Sequence, residues 1–117
     1  MIKALIVDQA DDDSVSASIH EIEESQLPDD GEVDIAVEYS TINYKDGLCL
    51  NGLGRLVRNY PHVPGIDLAG TVISSRADGI AAGDRVTMNG FRSGEIRWGG
   101  YATRANGKAE WLSLIHI

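Results

Sequence analysis

Two segments in the first forty residues alternate between apolar and polar side chains. In the first, Val15, Ala17 and Ile19 are separated by serines. In the second, residues 33–39 carry valine, isoleucine, valine and tyrosine at every other position. A period of two is typical of strands that bury one face, so both segments are predicted as half-buried strands. The apolar run 2–7 predicts a further strand ahead of them.

Turn residues divide the rest of the chain into short elements. Residues 28–31, Pro-Asp-Asp-Gly, predict a turn with its glycine in the left-handed conformation. Residues 44–50 could form a short helix, which Asn51-Gly52 would end. Three more strands are predicted at 68–74, 85–88 and 101–105. Many short strands joined by such turns indicate an all-β barrel or Greek-key domain.

Composition narrows the class of protein. A chain of 117 residues forms one domain and can bury about two thirds of its unfolded surface. The net charge is −8, with nine of the ten basic residues from Lys45 onward, so a nucleic-acid partner is not expected. No apolar run approaches the roughly 18 residues of a membrane helix, so no membrane partner is expected. Because Cys49 has no second cysteine to pair with, the cytoplasm is the simplest compartment.

The most informative segment is residues 60–72, Tyr-Pro-His-Val-Pro-Gly-Ile-Asp-Leu-Ala-Gly-Thr-Val. Its two prolines stiffen the approach to Gly65, because each fixes its own φ and restricts the residue before it. Gly65 and Gly70 allow a positive φ or the close approach of another backbone. Asp67 lies in an otherwise apolar strand, where a carboxylate is costly unless it is paired or used. The segment is therefore predicted to contain a functional site.

Four motifs, in this order, resemble the GroES-like N-terminal domain of the medium-chain dehydrogenase/reductase superfamily. They are Asn43–Asp46, Pro61–Val72, Gly83–Val86 and Trp98–Ala102. Together they resemble the acrylyl-CoA reductase subfamily of zinc-less, quinone-oxidoreductase-like enzymes, over residues 1 to about 112. The resemblance implies a mainly β fold, a GroES-like, partly open β-barrel with one or two short helices.

The resemblance also bears on metal chemistry. Zinc-dependent relatives carry a cysteine before the short helix and Gly-His-Glu on the strand after the proline loop. Here the first position is Asn43, and the second motif reads Gly65-Ile66-Asp67. Isoleucine cannot bind zinc and a neutral amide is a poor ligand, whereas a catalytic zinc needs about three protein ligands. No metal site is expected.

The resemblance implies that Asn43 and Asp67 lie together where those relatives hold their metal. We hypothesise that this catalytic pair orients the substrate carbonyl or a water beside the nicotinamide. A purely structural hydrogen bond between helix and strand is the alternative, and both stay open. Tyr44 is implied to contact the cofactor, with a tyrosine packed in the core as its alternative. Lys45 and Asp46 could pair at the helix start, and no chemistry is assigned to them.

Loop arginines are the candidates for binding a coenzyme A thioester, because a guanidinium group binds phosphate through two hydrogen bonds. Arg58 and Arg92 are assigned to substrate binding, from a group that also contains Arg55 and Arg97.

The resemblance implies an NADPH-dependent oxidoreductase that reduces the C=C bond of an enoyl thioester, acrylyl-CoA to propionyl-CoA, as a homo-oligomer. A Rossmann domain would bind most of the cofactor, yet the sequence has no G-x-G-x-x-G phosphate-binding motif. Residues 1–112 are therefore expected to be the catalytic domain of a fragment, inactive alone, with 113–117 a tail foreign to the family. A quinone or enone oxidoreductase fragment and a stand-alone GroES-like binding module are the alternatives.

Overall fold

Most of the described chain is β-structure. The computed structural model describes residues 2–54, 56–57, 59–90 and 97–115. Within these ranges one α-helix, α1 (Tyr44–Leu50), lies among seven strands. The strands are β1 (Ile2–Gln9), β2 (Val15–Ile22), β3 (Val33–Ser40), β4 (Asp67–Ser75), β5 (Arg85–Asn89), β6 (Arg104–Gly107) and β7 (Leu112–Leu114). The mainly β fold with one short helix confirms the predicted fold class.

The strands form two antiparallel sheets. β1 and β2 make a two-stranded hairpin, with Ile2 opposite Ile22. The other sheet has five strands in the order β6-β3-β4-β5-β7. The amide of Leu5 donates to the carbonyl of Tyr101 at 2.8 Å, and an isolated bridge pairs Ala4 with Ala102. The hairpin is therefore attached to the segment that enters β6.

The main core lies on one face of the five-stranded sheet. Its buried members are Val33, Ile35, Leu68, Val72, Val86, Met88 and Ala105. Val33 and Ile35 are fully buried, so the alternation predicted for β3 is confirmed in its first half, whereas Val37 is only partly buried and Tyr39 is 69% exposed. Gly70 also has the close backbone contact expected of it. A Cβ on Gly70 would lie 2.1 Å from the carbonyl oxygen of Ala36 on the neighbouring strand.

The half-buried pattern predicted for β2 is wrong. The strand forms as expected, but its burial pattern is exposed from Ser16 to Glu21, and the side chain of Ile19 is 74% exposed. The hairpin instead buries Ile2, Ala4 and Ile22 against Val63, and this cluster does not include Ile19. The left-handed conformation predicted for Gly31 is also not observed. A Cβ there would lie 2.4 Å from the carbonyl oxygen of Gly107, so close approach accounts for this glycine.

The last described residues extend the sheet. The strand predicted at 101–105 begins later, at Arg104. β7 was not predicted, and it pairs with β5 through Met88 opposite Leu112. The amide of Ile115 then donates to the carbonyl of Arg85 at 2.8 Å. β7 thus crosses the boundary expected at residue 112, and the division of the chain there stays a prediction.

The described part of the chain contains no helix that is long and apolar enough to cross a membrane.

Candidate active site

The site begins at the first turn of α1. Asn43 is the residue before the helix and has an extended backbone, with φ −122° and ψ 162°. The backbone amide of Asn43 donates to Oδ2 of Asp46 at 2.9 Å. An acceptor side chain three residues into a helix satisfies a backbone donor that the helix itself leaves unpaired. The helix start and the orientation of Asn43 are therefore set by the same local contact.

Asp46 joins the helix start to the proline-rich loop. It is fully buried. Its Oδ1 accepts hydrogen bonds from the amides of Gly65 at 3.2 Å and Ile66 at 3.0 Å. Gly65 has φ +102°, and a Cβ on it would lie 2.7 Å from Cδ1 of Tyr101, so this corner requires glycine. The corner places the beginning of β4 against α1.

Asn43 and Asp67 lie together, as the family resemblance implied. Nδ2 of Asn43 is 3.2 Å from Oδ2 of Asp67. The same nitrogen is 2.9 Å from Oγ1 of Thr41, which in turn lies 3.1 Å from Oδ2 of Asp67. Asp67 is half-buried, and the buried carboxylate of the site is Asp46. The contact itself is observed, but the catalytic roles of Asn43 and Asp67 stay predictions.

Tyr44 points away from the core. Its side chain is 83% exposed, so the alternative of a core tyrosine is wrong. Ile42, on the other side of Asn43, is 90% exposed, and Tyr39 is 69% exposed. We call Tyr39, Ile42 and Tyr44 the apolar rim. An exposed tyrosine beside the polar pair is able to contact a ligand, and its assignment to the cofactor stays a prediction.

A cavity of about 200 Å³ opens beside Asp67. Its lining residues are Tyr39, Ser40, Thr41, Asp67, Leu68, Ala69, Thr87 and Asn89. Hydroxyl, amide and carboxylate groups therefore face a space that one edge of the apolar rim also borders. Ser40 Oγ donates to the carbonyl of Asp67 at 2.6 Å, which fixes the backbone at the cavity wall.

Tyr101 is hydrogen-bonded to the segment that precedes α1. Its hydroxyl donates to the carbonyl of Thr41 at 2.8 Å. Burial, and next the negative charge of Asp46, raise the pKa of Tyr101 from 10.0 to about 12. Tyr101 therefore stays protonated, and keeps its hydrogen bond to the segment that carries Asn43, up to a higher pH than a tyrosine with the ordinary pKa of 10.0.

Of the four candidate arginines, the structure describes Arg97, whose contacts are with residues other than Asn43 and Asp67. Arg58 and Arg92, assigned to substrate binding, lie outside the described residues, as does Arg55. Arg97 forms an ion pair with Asp30 and donates to the carbonyl of Asn106 at 3.3 Å. Its guanidinium also lies 4.8 Å from the ring centre of Trp111. These contacts give Arg97 a structural role in the described part of the molecule.

The donor set at the site does not suit zinc. In the described ranges no three His, Cys, Asp or Glu side chains form a group that could hold a metal ion. Asn43 and Ile66 occupy the two positions at which the zinc-dependent relatives carry cysteine and histidine. Both oxygens of Asp46 already accept hydrogen bonds from backbone amides. We therefore derive no step through a metal, and zinc independence stays a prediction.

A nicotinamide cofactor fits only in part. Tyr44 offers an exposed ring and hydroxyl, which suit one edge of a nucleotide. The pyrophosphate of such a cofactor is usually bound at a helix N-terminus between parallel strands. All strand pairs in the described ranges are antiparallel, so these residues supply no such unit.

Sequence reasoning missed three residues of the site, Thr41, Asp46 and Tyr101. Asp46 had a usable signal, because an acceptor three residues after an N-terminal Asn resembles a capping box. Tyr101 had none, since its hydroxyl contacts Thr41 60 residues away, and nothing in the sequence indicated that Thr41 would contact Asn43 and Asp67.

Comparison with known proteins identifies relatives of this chain. A family model described as the alcohol dehydrogenase GroES-like domain matches residues 29–116. The acrylyl-CoA reductase AcuI of Ruegeria pomeroyi is 50% identical over 113 residues, which are 96% of this chain and 34% of that protein. YhfP of Bacillus subtilis, provisionally named a quinone oxidoreductase, is 45% identical over 100 residues, which are 86% of this chain and 30% of that protein.

A solved structure also matches this fold closely. The yhdH oxidoreductase from Salmonella enterica in complex with NADP superposes with a TM-score of 0.93. It is 44% identical, and the match covers 97% of this chain and 35% of that one. The chain therefore spans about a third of the length of each of these three proteins.

Proposed function

The chain belongs to the family of alcohol dehydrogenase GroES-like domains, and from that membership we propose that the whole protein is a zinc-independent, NADPH-dependent oxidoreductase. Its reaction is the reduction of the C=C bond of an enoyl thioester, acrylyl-CoA to propionyl-CoA. The relative in support of this substrate is the acrylyl-CoA reductase that shares 50% of its residues over 96% of this chain.

The observation that carries the proposal is the contact between Asn43 and Asp67. The two side chains meet at 3.2 Å, beside the exposed Tyr44 and next to an open cavity. When bound, the nicotinamide supplies the hydride that is added to the double bond. The chain's own polar groups have the task of binding the thioester oxygen, on which negative charge develops, and of orienting a proton source.

Asn43 and Asp67 suit different parts of that task. Asn43 Nδ2 has three acceptors within 3.3 Å but only two hydrogens, so one hydrogen is shared. A substrate carbonyl can take over one of the longer contacts while the others remain. Asp67 carries negative charge, which repels a developing oxyanion and favours a water as its ligand. We therefore assign the carbonyl to Asn43 and the water to Asp67.

Tyr44 has a separate role in the proposal. Its exposed ring and hydroxyl would contact one edge of the bound cofactor. The cofactor is bound mainly by a Rossmann domain beyond the matched residues. The 117-residue chain alone is therefore expected to show no NADPH oxidation with acrylyl-CoA, and measurable turnover by the purified chain would contradict this.

A second candidate keeps the site and changes the acceptor. The provisional quinone oxidoreductase YhfP is 45% identical over 86% of this chain, which favours a quinone or small enone. The same polar pair could bind a quinone oxygen as well as a thioester oxygen.

A hybrid enzyme separates the two candidates. The matched 113 residues of the Ruegeria relative are replaced by this chain, and NADPH oxidation is followed with acrylyl-CoA, crotonyl-CoA, benzoquinone and a small enone. We expect the highest kcat/KM with acrylyl-CoA. A higher kcat/KM with benzoquinone than with either thioester would overturn the thioester proposal in favour of the second candidate.

A further inference from the structure

Among the described residues, Asp46 is the acidic side chain that is fully buried. We propose that Asp46 is the positioning residue of the site, and that its carboxylate sets the distance between Asn43 and Asp67 by binding the backbone beside each of them. This inference rests on the proposed function, because it concerns the same pair. Asp46 is assigned no chemical step, because its oxygens already accept hydrogen bonds from three backbone amides and from the side chain of Asn43.

The two oxygens of Asp46 divide their partners between two segments. Oδ2 accepts from the amide of Asn43 at 2.9 Å and lies 3.3 Å from its Nδ2. Oδ1 accepts from the amides of Gly65 and Ile66, the two residues that precede Asp67. Asn43 and Asp67 are 24 residues apart in sequence. One rigid carboxylate therefore links the backbone positions that carry both members of the pair.

The chemistry of the contact requires a carboxylate. Three backbone amides approach the two oxygens from two segments, so the group must accept on both of its ends. An asparagine of the same shape has one accepting oxygen and one donating nitrogen. Asp46→Asn would thus keep the hydrogen bonds to one of the two segments. At the other segment the side-chain NH2 group would face a backbone N–H, so that two donors would oppose each other. The substitution changes the position of the pair with little change in side-chain volume.

The first test uses the 117-residue chain and nuclear magnetic resonance. The readout is the change in the Asn43 side-chain amide signals when Asp67 is replaced by Asn. We expect a clear change in the wild-type background and at least a twofold smaller one in the Asp46→Asn background. Asp78→Asn, on an exposed turn, is the matched control and should keep the full change. An equal change in all three backgrounds would overturn the positioning role.

A wild-type measurement covers the case in which Asp46→Asn does not fold. If one carboxylate holds both segments, the backbone amides of Asn43, Gly65 and Ile66 are released together when Asp46 moves. Their hydrogen-exchange protection should therefore agree within about threefold. Protection of Gly65 that exceeds that of Asn43 by a hundredfold would show that the segments are held independently, and would contradict the proposal.

The second test uses the hybrid enzyme and separates this inference from the proposed function. With acrylyl-CoA, Asp46→Asn should lower kcat about 10- to 100-fold, because a displacement of about 1 Å has that cost, and should change KM less than threefold. In an Asn43→Ala background it should lower kcat less than threefold further. A merely structural Asp46 would lower the folded fraction but not the kcat per folded molecule.

The two possible failures give different results. If Asn43→Ala alone keeps normal turnover, the proposed function of the pair is wrong, while the magnetic-resonance result still tests the positioning role. If Asn43→Ala lowers kcat but Asp46→Asn does not, the pair acts and the inference about Asp46 is overturned.

Discussion

The core of the five-stranded sheet and the mouth of the candidate site are held together by different interactions. The mouth is the part of the site formed by the apolar rim, Asn43 and Asp67 with the backbone beside them. The core packs apolar side chains such as Val33 and Ile35, both fully buried. The mouth leaves its apolar rim in solvent and fixes its backbone with polar contacts, from Asp46 to Gly65 and from Tyr101 to Thr41. The core therefore governs the stability of the chain, whereas the mouth has exposed groups available for a ligand.

The largest expected loss of stability follows from a substitution in the core. Ile35→Ala removes a fully buried side chain from β3, and should lower the free energy of unfolding by about 2–5 kcal/mol. The matched control is Ile19→Ala, because Ile19 is 74% exposed on β2, and it should change stability by less than about 0.5 kcal/mol. Chemical denaturation of the 117-residue chain measures both. Equal losses would show that the hairpin face is covered in solution.

A backbone contact gives the next largest effect. Gly70→Ala places a Cβ 2.1 Å from the carbonyl oxygen of Ala36, so β3 and β4 must separate, at a cost of about 3 kcal/mol. Gly47 lies in α1 with nothing within 4 Å of its Cβ position. Gly47→Ala should therefore raise stability by about 0.5–1 kcal/mol. Thermal denaturation gives both shifts, and a stabilising Gly70→Ala would refute the described approach of the two strands.

The mouth responds to pH through Tyr101. Its pKa of about 12 in the folded chain exceeds the ordinary 10.0, so the folded state holds the proton more tightly than the unfolded state. This contribution to stability is complete below about pH 10 and is lost as the pH rises through about 12. Denaturation between pH 8 and 12 should show the loss.

Tyr101→Phe removes the titrating group and its hydrogen bond to Thr41. The variant should be about 1 kcal/mol less stable at pH 8 and should lose less stability above pH 10. Absorbance at 295 nm, as wild type minus variant, reports the titration of this tyrosine directly. A difference curve centred near 10 would contradict the raised pKa. Tyr39→Phe, at an exposed tyrosine, is the control.

The fold was predictable where local pattern and tertiary contact agree. β3 alternates and meets a core, so Val33 and Ile35 are buried as expected. β2 alternates in the same way, but Ile19 is exposed, because the period of a strand cannot specify whether another element covers it. β7 was missed because it has only three residues and depends on pairing with β5.

The candidate site was predictable only in its most recognisable parts. Asn43 and Asp67 were found from motifs that resemble a known family, and the structure brings them into contact. Asp46 was given no role, because two of the three backbone amides that it binds belong to a loop about twenty residues away. Tyr101 was likewise missed, since its partner lies 60 residues away. The side chains that fix the geometry thus each have at least one partner that is distant in sequence.

The most direct test of the account is a double-mutant cycle on Asn43 and Asp67 in the hybrid enzyme. We predict that Asn43→Ala and Asp67→Asn each lower kcat for acrylyl-CoA about 10- to 100-fold, and that the double variant is less than threefold slower than the slower single one. Asn59→Ala and Asp78→Asn, both exposed, should leave kcat unchanged. Normal turnover by both single variants would reduce the pair to a structural hydrogen bond and contradict the account.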